Sequence, residues 1–369
     1  MSKYLFDKIT IIGLGLIGSS VARAVHENKL AGSVVGCDGN EVSLAFARKN
    51  GFIDSALSDA QLAVADADLV IISTPPSTLG EVAESIAPNL KHGAIVMDMA
   101  SVKQPAINAI APHIPPHAIF IPAHPIAGSE QAGVRAGRAD LFVKKRIIIT
   151  PDAPPEDELL KKITSFWQAM GARIEGMPAE IHDMLYGYMS HLPQLIAFCL
   201  KKPLGIFFEK TDENPVYKSF LRIAHSSPAL WAEIFAQNKD NILKGLDRYI
   251  DVVSHVHAEL KNAPEGEESK NDALLANSVL FPRIVASCLV TTVMEAEKNA
   301  GFPFARYAGT GFADLTAPTL VEPEADIEQI SAQYKLVEVI VGEFLLRLKT
   351  VSAALAIGTA PDIERAING

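Results

Sequence analysis

A glycine-rich turn, Gly13-Leu14-Gly15-Leu16-Ile17-Gly18, separates a short β-branched run from a helical segment. In a GxGxxG turn the first glycine permits the tight turn, the second lets the backbone approach a pyrophosphate, and the third lets the helix pack on the strand. The helix N-terminus then offers N–H groups and a positive dipole end to the phosphates. Asp38 ends the next predicted strand, where a carboxylate can accept hydrogen bonds from both ribose hydroxyls and would repel a 2′-phosphate. The pattern predicts a site for NAD rather than NADP, with an ordinary loop aspartate as the alternative for Asp38.

Further cofactor contacts are predicted where neighbouring strands end, because open α/β folds bind ligands at the carboxyl edge of the sheet. Thr74 and Pro75 follow the third strand-like run, and Ser101 and Lys103 follow the fourth. An N-cap serine beside a solvated lysine is the alternative for the latter two. The complete predicted cofactor set is Gly13, Gly15, Leu16, Ile17, Gly18, Asp38, Thr74, Pro75 and Ser101.

The segment His124-Pro125-Ile126-Ala127-Gly128-Ser129-Glu130 begins with a histidine at a strand end, between Pro122 and Pro125. Proline fixes its own φ and restricts the residue before it, so this histidine is held stiffly. Neutral imidazole has a pKa near the working pH and can take a proton from an alcohol during hydride transfer. A histidine in isolation is more often structural, but the surrounding sequence makes His124 the candidate catalytic base.

Two further polar features lie in the second half of the chain. Ser190-His191-Leu192-Pro193 places a polar pair before a proline inside an apolar helix, which predicts a kink that faces a cavity. Arg222 stands in an apolar setting and therefore needs an anionic partner. Its guanidinium fork fits a substrate carboxylate, and a salt bridge to one of the many acidic residues is the alternative.

The order of predicted elements indicates two domains. Short apolar strands alternate with helices through the first half, which predicts a doubly wound parallel sheet of the Rossmann type over residues 1–178. From Ala179 the strand pattern stops, and residues 179–369 are predicted to form an all-helical domain. Its long helical patterns are Glu180–Leu200, Ala229–His257, Ala273–Ala300 and Ile327–Ala356.

Composition excludes several classes of protein. Hydrophobic residues make up 49% and charged residues 21% of the chain, which is typical of a globular protein. The 33 basic and 43 acidic residues give a net charge of −10, so we expect no nucleic-acid or membrane partner. Three scattered cysteines without a CxxC pair predict neither a disulfide framework nor a metal site. We therefore expect a cytoplasmic protein with a small-molecule substrate.

Two segments of the second half resemble each other. Met189–Leu200 and Ser278–Leu289 share proline, alanine, cysteine and leucine at matched positions. Leu280 replaces His191, so a second copy would be structural. Chance agreement between two apolar helices that contain proline is an equal alternative.

Five blocks in order resemble the prephenate/arogenate (cyclohexadienyl) dehydrogenase family of tyrosine biosynthesis, over about residues 7–260. The blocks are the Gly13–Gly18 turn, Ser101-Val102-Lys103, the His124–Glu130 segment, His182-Asp183 with Ser190-His191-Leu192-Pro193, and Arg222-Ile223-Ala224 with Trp231. The resemblance implies a Rossmann domain followed by a helical dimerisation domain, and hence a homodimer.

The resemblance also implies a reaction, the NAD-dependent oxidative decarboxylation of prephenate or arogenate without a metal. His124 would accept the proton of the ring hydroxyl, and Ser101 would hydrogen-bond either His124 or that hydroxyl. Carboxyl groups of the substrate would be held by His191 and Arg222. The implied substrate-binding set is His191, Arg222, Gln194, Ser129 and Glu130.

Several residues depart from the family pattern. Ala100 stands where the family commonly has glycine, and Gln194 stands where members acting on prephenate often have histidine. Because glutamine can contact either a keto acid or an amino acid, the choice between prephenate and arogenate stays open. Tyr307–Thr316 resembles the family's glycine-rich approach to the arginine, displaced and without the arginine. This favours residues 262–369 as a partial repeat of the helical-domain sequence that precedes them.

The sequence leaves two other functions open. Dehydrogenases of the hydroxyacid or imine type also join a Rossmann domain to a helical one, but they do not predict Ser190-His191-Leu192-Pro193. A non-catalytic NAD-binding regulatory protein is the second alternative, and the substitutions Ala100 and Gln194 would then mark lost activity. Retention of His124, Ser101, Asp38 and Arg222 argues against it.

Overall fold

The computed structural model describes residues 4–129, 131–151, 156–207, 220, 222–262, 280–320 and 334–369. The chain divides into two compact units, Met1–Asp183 and Met184–Gly369. None of the helices in these described ranges is both long and apolar enough to cross a lipid bilayer.

The first unit contains one eight-stranded sheet. Its strands are β1 (Phe6–Ile12), β2 (Ala31–Cys37), β3 (Ser55–Leu57), β4 (Leu69–Ile72), β5 (Ile95–Asp98), β6 (Ile119–Pro125), β7 (Arg146–Ile149) and β8 (Arg173–Gly176). The helices of the first unit are α1 (Leu16–Glu27), α2 (Glu41–Lys49), α3 (Ala60–Val64), α4 (Leu79–Ile86), α5 (Lys103–Ile110) and α6 (Asp157–Ala169), and α7 (Ala179–Tyr186) crosses the division between the units.

The strand order is β3-β2-β1-β4-β5-β6-β7-β8, so the order reverses between β1 and β4. Apolar clusters cover both faces of the sheet, and β4 and β5 are buried along their whole length. Strands buried on both faces require continuous apolar runs, as the sequence has there. The doubly wound fold is confirmed, and the reversal point is where such folds bind ligands.

The sheet differs from the prediction in one pairing. β6 and β7 are antiparallel, whereas the other neighbouring strands pair in parallel. A parallel return needs a crossover, usually a helix. The described residues between β6 and β7 contain only a short 3₁₀ turn, Val134–Ala136, so the chain returns directly in the opposite direction.

The second unit is helical in its described residues, as predicted. After a π-helical turn at Gly187–His191 its helices are α8 (Leu192–Phe207), α9 (Pro228–Gln237), α10 (Lys239–Lys261), α11 (Phe281–Ala300), α12 (Thr310–Thr316), α13 (Tyr334–Ile357) and α14 (Ala360–Asn368). Residues 273–279 and 327–333, predicted to be helical, lie outside the described residues.

Two predicted helices are interrupted. The pattern Glu180–Leu200 is broken by the π-helical turn immediately before Leu192 and Pro193, where the missing proline N–H perturbs the helical hydrogen bonds. The pattern Ala229–His257 is broken at Asn238, whose φ of −115° departs from helical geometry. Both interruptions carry residues of the candidate site.

Candidate active site

The glycine-rich turn joins β1 to α1 beside the end of β4. Gly13 has a φ of +90°, and a side-chain carbon there would lie 2.6 Å from the carbonyl oxygen of Ser73. A side-chain carbon at Gly18 would lie 1.9 Å from the carbonyl oxygen of Gly13. At Gly15 the same atom would meet nothing within 4 Å. Gly13 and Gly18 are thus required by internal packing, while Gly15 faces open space, as the approach of a pyrophosphate requires.

Polar groups line this turn. The Asp38 carboxylate accepts hydrogen bonds from the backbone N–H of Leu14 at 2.7 Å and of Asn40 at 2.8 Å. A carboxylate has about four acceptor positions, so capacity for ribose hydroxyls is left. The Thr74 hydroxyl is buried without a protein hydrogen-bond partner in the described residues. An orphaned hydroxyl and an open glycine at the strand-order reversal fit a bound dinucleotide. Leu16 and Ile17 begin α1, and Pro75 is exposed beside Thr74.

His124 lies at the end of β6, half-buried, and is the first member of a hydrogen-bonded chain. His124 Nδ1 is 2.8 Å from His182 Nε2, and His182 Nδ1 is 2.8 Å from Asp183 Oδ1. A carboxylate only accepts, so His182 Nδ1 carries a proton and donates to Asp183. His182 Nε2 must then accept the Nδ1–H of His124, which leaves the lone pair of His124 on Nε2. The chain therefore sets the tautomer that a base acting through Nε2 requires.

Asp183 anchors this chain at the start of α5. Its two carboxylate oxygens accept the backbone N–H groups of Lys103 at 2.7 Å and of Gln104 at 2.8 Å. These N–H groups are unsatisfied at any helix N-terminus, where a negative charge is favourable. Asp183 is 4% exposed, so its hydrogen bonds are shielded from water.

Lys103 and Asp98 form a fully buried ion pair, which is joined to the hydrogen-bonded series because the Lys103 backbone N–H donates to Asp183. The Lys103 ammonium also donates to the carbonyl oxygen of Ala123 at 2.6 Å, and the backbone N–H groups of Ala100 and Ala123 donate to Asp98. The pair thereby fixes the residue before His124 and the residue before Ser101. Burial lowers the pKa of Lys103, against the attraction of Asp98.

Burial and the nearby Lys103 cation hold the pKa of His182 well below its usual value. His182 is fully buried, so it stays neutral around physiological pH and keeps the hydrogen-bond directions described above. Burial and the Lys103 cation thus both keep the His182 imidazole, which links His124 to Asp183, uncharged.

The other predicted residues of the first unit are more exposed. Ser101 is half-buried, and the Nδ1 position of His124 is occupied by His182 rather than by Ser101. Ser129 lies in an exposed loop, where its hydroxyl hydrogen-bonds the backbone of Gln131. Glu130 lies outside the described residues.

In the second unit, His191 ends the π-helical turn and is buried. The Asn238 amide nitrogen is 3.0 Å from His191 Nδ1, and the amide of Asn241 donates to the Asn238 oxygen at 2.9 Å. Because Asn241 fixes the direction of the Asn238 amide, His191 Nδ1 accepts and its Nε2 carries the proton. His191 therefore offers an N–H donor, which suits a carboxylate.

Gln194 and Arg222 are linked through one short helical stretch. The Gln194 amide donates to the carbonyl oxygen of Ile223 at 2.8 Å and is 5% exposed. Arg222 is half-exposed and forms an ion pair with Asp314, which is the alternative weighed for this arginine. Gln194 thus holds the backbone beside Arg222, whose fork already has a carboxylate partner.

Sequence reasoning missed four of these contributors. Asp98, His182, Asp183 and Asn238 received no role, although His182-Asp183 was noted as a block. A histidine next to an aspartate at a helix start was the available signal for two of them. The interruption at Asn238 had no such signal, because asparagine is common inside long helical patterns.

The family of the chain follows from comparison with known proteins. Residues 21–176 match the nucleotide-binding domain of prephenate dehydrogenase, and residues 178–270 match the dimerization domain of prephenate dehydrogenase. A cyclohexadienyl dehydrogenase of Zymomonas mobilis is 38% identical over 255 residues, which is 67% of this chain and 86% of that protein. A prephenate dehydrogenase of Bacillus subtilis is 30% identical over 276 residues, 72% of each chain.

A solved structure agrees with these matches. The crystal structure of prephenate dehydrogenase from A. aeolicus, in complex with hydroxyphenyl propionate and NAD+, has a TM-score of 0.61 and 29% identity. The similarity covers 69% of this chain and 90% of that one. The similarity to these dehydrogenases therefore holds in both the sequence and the backbone path.

Proposed function

The chain belongs to the prephenate dehydrogenase family, and from that premise we propose that it oxidises and decarboxylates prephenate, arogenate or both, with NAD+. The observation that carries the proposal is the chain from His124 through His182 to Asp183, which leaves a basic nitrogen on His124 at the carboxyl edge of the sheet. A base there is what the removal of a hydroxyl proton requires. The alternative hydroxyacid and imine dehydrogenases are set aside by the family membership.

NAD+ supplies, when bound, the acceptor for the hydride that leaves the substrate. The residues proposed to hold it are the Gly13–Gly18 turn with Leu16 and Ile17, Asp38, Thr74, Pro75 and Ser101. The open space above Gly15 would admit the pyrophosphate, and the Asp38 carboxylate would accept hydrogen bonds from the ribose hydroxyls. Asp38 disfavours a 2′-phosphate through charge repulsion.

His124 acts as the general base. Its Nε2 lone pair accepts the proton of the substrate's ring hydroxyl, while the ring carbon that carries this hydroxyl loses a hydride. The positive charge that then develops on the His124 ring is stabilised through neutral His182 by the Asp183 carboxylate. The ring carboxylate then leaves as carbon dioxide, and the electron pair that it leaves behind makes the ring aromatic and turns the ketone oxygen into a phenolate. The phenolate takes back the proton held by His124, which returns the imidazole to its neutral form.

Ser101 is proposed to hold the substrate hydroxyl in line with His124. Asp98 accepts a hydrogen bond from the backbone N–H of Ala100, and the Lys103 ammonium donates to the carbonyl oxygen of Ala123. The residues before Ser101 and His124 are therefore fixed by the same buried ion pair. Ser129 and Glu130 are proposed to shape the mouth of the pocket. Because proximity and orientation are worth several kcal/mol of barrier, a rigid mounting for both groups matters to the rate.

Carboxyl groups of the substrate are proposed to bind His191 and Arg222. The N–H of His191 Nε2, fixed by Asn238, donates to one carboxylate. Arg222 binds another when the substrate takes the place of Asp314. Gln194 keeps the Arg222 segment in position through Ile223, and is the proposed residue for reading the side chain that distinguishes prephenate from arogenate.

The proposal is tested by absorbance at 340 nm, with prephenate or arogenate offered together with NAD+ or NADP+. We expect reduction of NAD+ with at least one substrate, and the ratio of kcat/KM values identifies the preferred one. A Gln194→His variant should shift that ratio toward prephenate. Absence of reduction in all four combinations, with NAD+ still bound, would contradict the proposed activity and favour a regulatory protein.

The remaining sequence predictions stay predictions. They are a cytoplasmic location, a domain boundary at residue 178, and the homodimer that the family resemblance implies. The helices of residues 280–369 support an alternative to that homodimer.

A further inference from the structure

We propose that residues 280–369 are a second copy of the helical element formed by residues 184–262, and that this copy takes the place of a partner subunit's dimerisation domain. The active protein is then a monomer, whose helical substrate site is completed from within one chain. The inference rests on the family's dimerization domain and not on the reaction.

Within the helical unit, residues 184–262 are here called the first half and residues 280–369 the second half. Their first helices, α8 and α11, begin alike. His191 ends a π-helical turn directly before α8, and Leu280, directly before α11, is also π-helical. Proline is the second residue of both helices, as Pro193 and Pro282. The matched positions continue through Cys199 and Cys288, both of which are buried. The similarity seen in the sequence is therefore accompanied by a matching start of the two helices.

The long helices of the two halves bury the same positions. In α10 the buried residues are Ile242, Gly245, Leu246, Tyr249 and Val253. A constant shift in residue number pairs them with the buried Val337, Ile340, Val341, Phe344 and Leu348 of α13. The same short sequence, Ala-Gln-x-Lys, stands within one residue of this register at 236–239 and 332–335.

These helices pack as two equivalent subunits do. Asp247 contacts Ser352 and His257 contacts Glu338, so α10 and α13 run antiparallel. Near the middle, the rings of the equivalent residues Tyr249 and Phe344 lie 6.3 Å apart. Contact between equivalent positions is the mark of a two-fold interface.

The first helices follow the same symmetry. α8 of the first half packs against α13 of the second, and α11 of the second packs against α10 of the first. The Tyr249 hydroxyl donates to the Val285 carbonyl oxygen, and burial together with the thiols of Cys288 and Cys199 raises its pKa well above the usual value. Each half thus inserts its helix into the other, as in an isologous dimer.

The second half also supplies a group to the site of the first. Asp314, in the segment that resembles the family's glycine-rich approach, pairs with Arg222. The Phe304 ring lies 5.6 Å from that of Tyr188, in the π-helical turn that carries His191. The equivalent site in the second half has Leu280 and Arg283 in place of His191 and Gln194. One competent helical site per chain follows.

The test joins a mass measurement to cross-linking across α10 and α13. Sedimentation or light scattering should give a monomer of 39.6 kDa at micromolar concentrations. A chain with both Asp247→Cys and Ser352→Cys should be cross-linked internally by a short bismaleimide, because the two side chains are in contact and the native cysteines are buried. The two single variants, mixed as matched controls, should give no cross-linked dimer.

A particle of twice that mass, or a cross-link between the two single variants, would overturn the proposal. Failure of the folded double variant to cross-link at all would also overturn it. Leu346→Lys, on an exposed side chain of α13, should leave the mass unchanged, whereas a dimer through that face would dissociate. None of these measurements depends on turnover, so they are separable from failure of the proposed reaction.

Discussion

The hydrogen bonds that hold His124 and those that hold Arg222 differ in how far water reaches them. Behind His124, the side chains of His182, Lys103 and Asp98 are fully buried, and each has a defined partner. The Arg222–Asp314 pair has side chains that are 47% and 28% exposed. Buried polar networks keep one geometry because an unmade hydrogen bond is costly, whereas exposed ion pairs contribute about 0–1 kcal/mol. His124, the proposed base, is therefore held rigidly, while Arg222, the proposed carboxylate receptor, can exchange its partner.

The largest effect should come from the base itself. His124→Gln keeps polarity but removes the basic nitrogen, so kcat should fall by about 10²- to 10⁴-fold, the usual contribution of general base catalysis. Binding of NAD+, followed by fluorescence titration, should be unchanged. His26→Gln, on an exposed residue of α1, is the matched control. Turnover retained in His124→Gln would remove His124 from the mechanism.

A smaller effect is expected one step further along the chain. Asp183→Asn leaves a side chain of the same shape but removes the charge that stabilises the protonated His124–His182 pair. Loss of one charged hydrogen bond costs about 1.5–3 kcal/mol, so kcat should fall by about 10- to 100-fold. The KM should hold, and the acidic limb of the pH–kcat profile should move. A change in KM with kcat and pH profile intact would make Asp183 merely structural.

Substitution of Arg222 should weaken the binding of the substrate. Arg222→Ala removes an exposed charged fork and should raise the substrate KM by about tenfold, with less effect on kcat. Arg222→Lys should recover part of this loss, because the charge returns without the bidentate geometry. An unchanged KM in the alanine variant would move the carboxylate site elsewhere.

The buried relay should also leave a signature in stability. Because burial lowers the pKa of His182, the unfolded chain binds more protons below the ordinary histidine pKa of about 6.5, and stability falls there as the pH decreases. The slope attributable to one such group is about 1.4 kcal/mol per pH unit. His182→Asn should flatten the dependence of the free energy of unfolding between pH 6.5 and 5. An equally steep slope in the variant would contradict the buried neutral state.

The smallest expected effect belongs to the partner of Arg222. Asp314→Asn removes the carboxylate that competes with the substrate, so KM should fall by roughly two- to fivefold, the equivalent of an exposed ion pair. The wild-type KM should also approach that of the variant as salt weakens the pair. A raised KM in Asp314→Asn would mean that Asp314 orients Arg222 rather than competing for it.

The fold could be predicted because it depends on local sequence patterns. The Gly13–Gly18 turn, the buried strand runs and the long helical periods depend on neighbouring residues, and they predicted a doubly wound domain followed by helices. The antiparallel β7 was missed because nothing in Arg146–Ile149 itself encodes direction. Direction follows from the connection before it, which lacks a crossover helix in its described part.

Less of the candidate site could be predicted from the sequence, because its residues meet through contacts between segments that are far apart along the chain. His124 could be proposed as the base from its own surroundings, but its partner His182 is far along the chain and meets it only because β6 and α7 converge. Lys103 was expected to face solvent or ligand, whereas it is buried against Asp98. The sequence around Asn238 is that of a continuous long helix, whereas the structure interrupts the helix at this residue and brings its amide nitrogen to His191 Nδ1.

The reciprocal packing of α10 and α13 within one chain has a consequence for how such a protein can change. In a homodimer one gene encodes both halves of the interface, so every substitution appears twice and each active site must tolerate it. Two halves encoded separately in one chain can diverge, as Leu280 and Arg283 have from His191 and Gln194. One half is free to become pure scaffold while the other keeps the chemistry. The tether also keeps the halves together at any dilution, since their association is intramolecular.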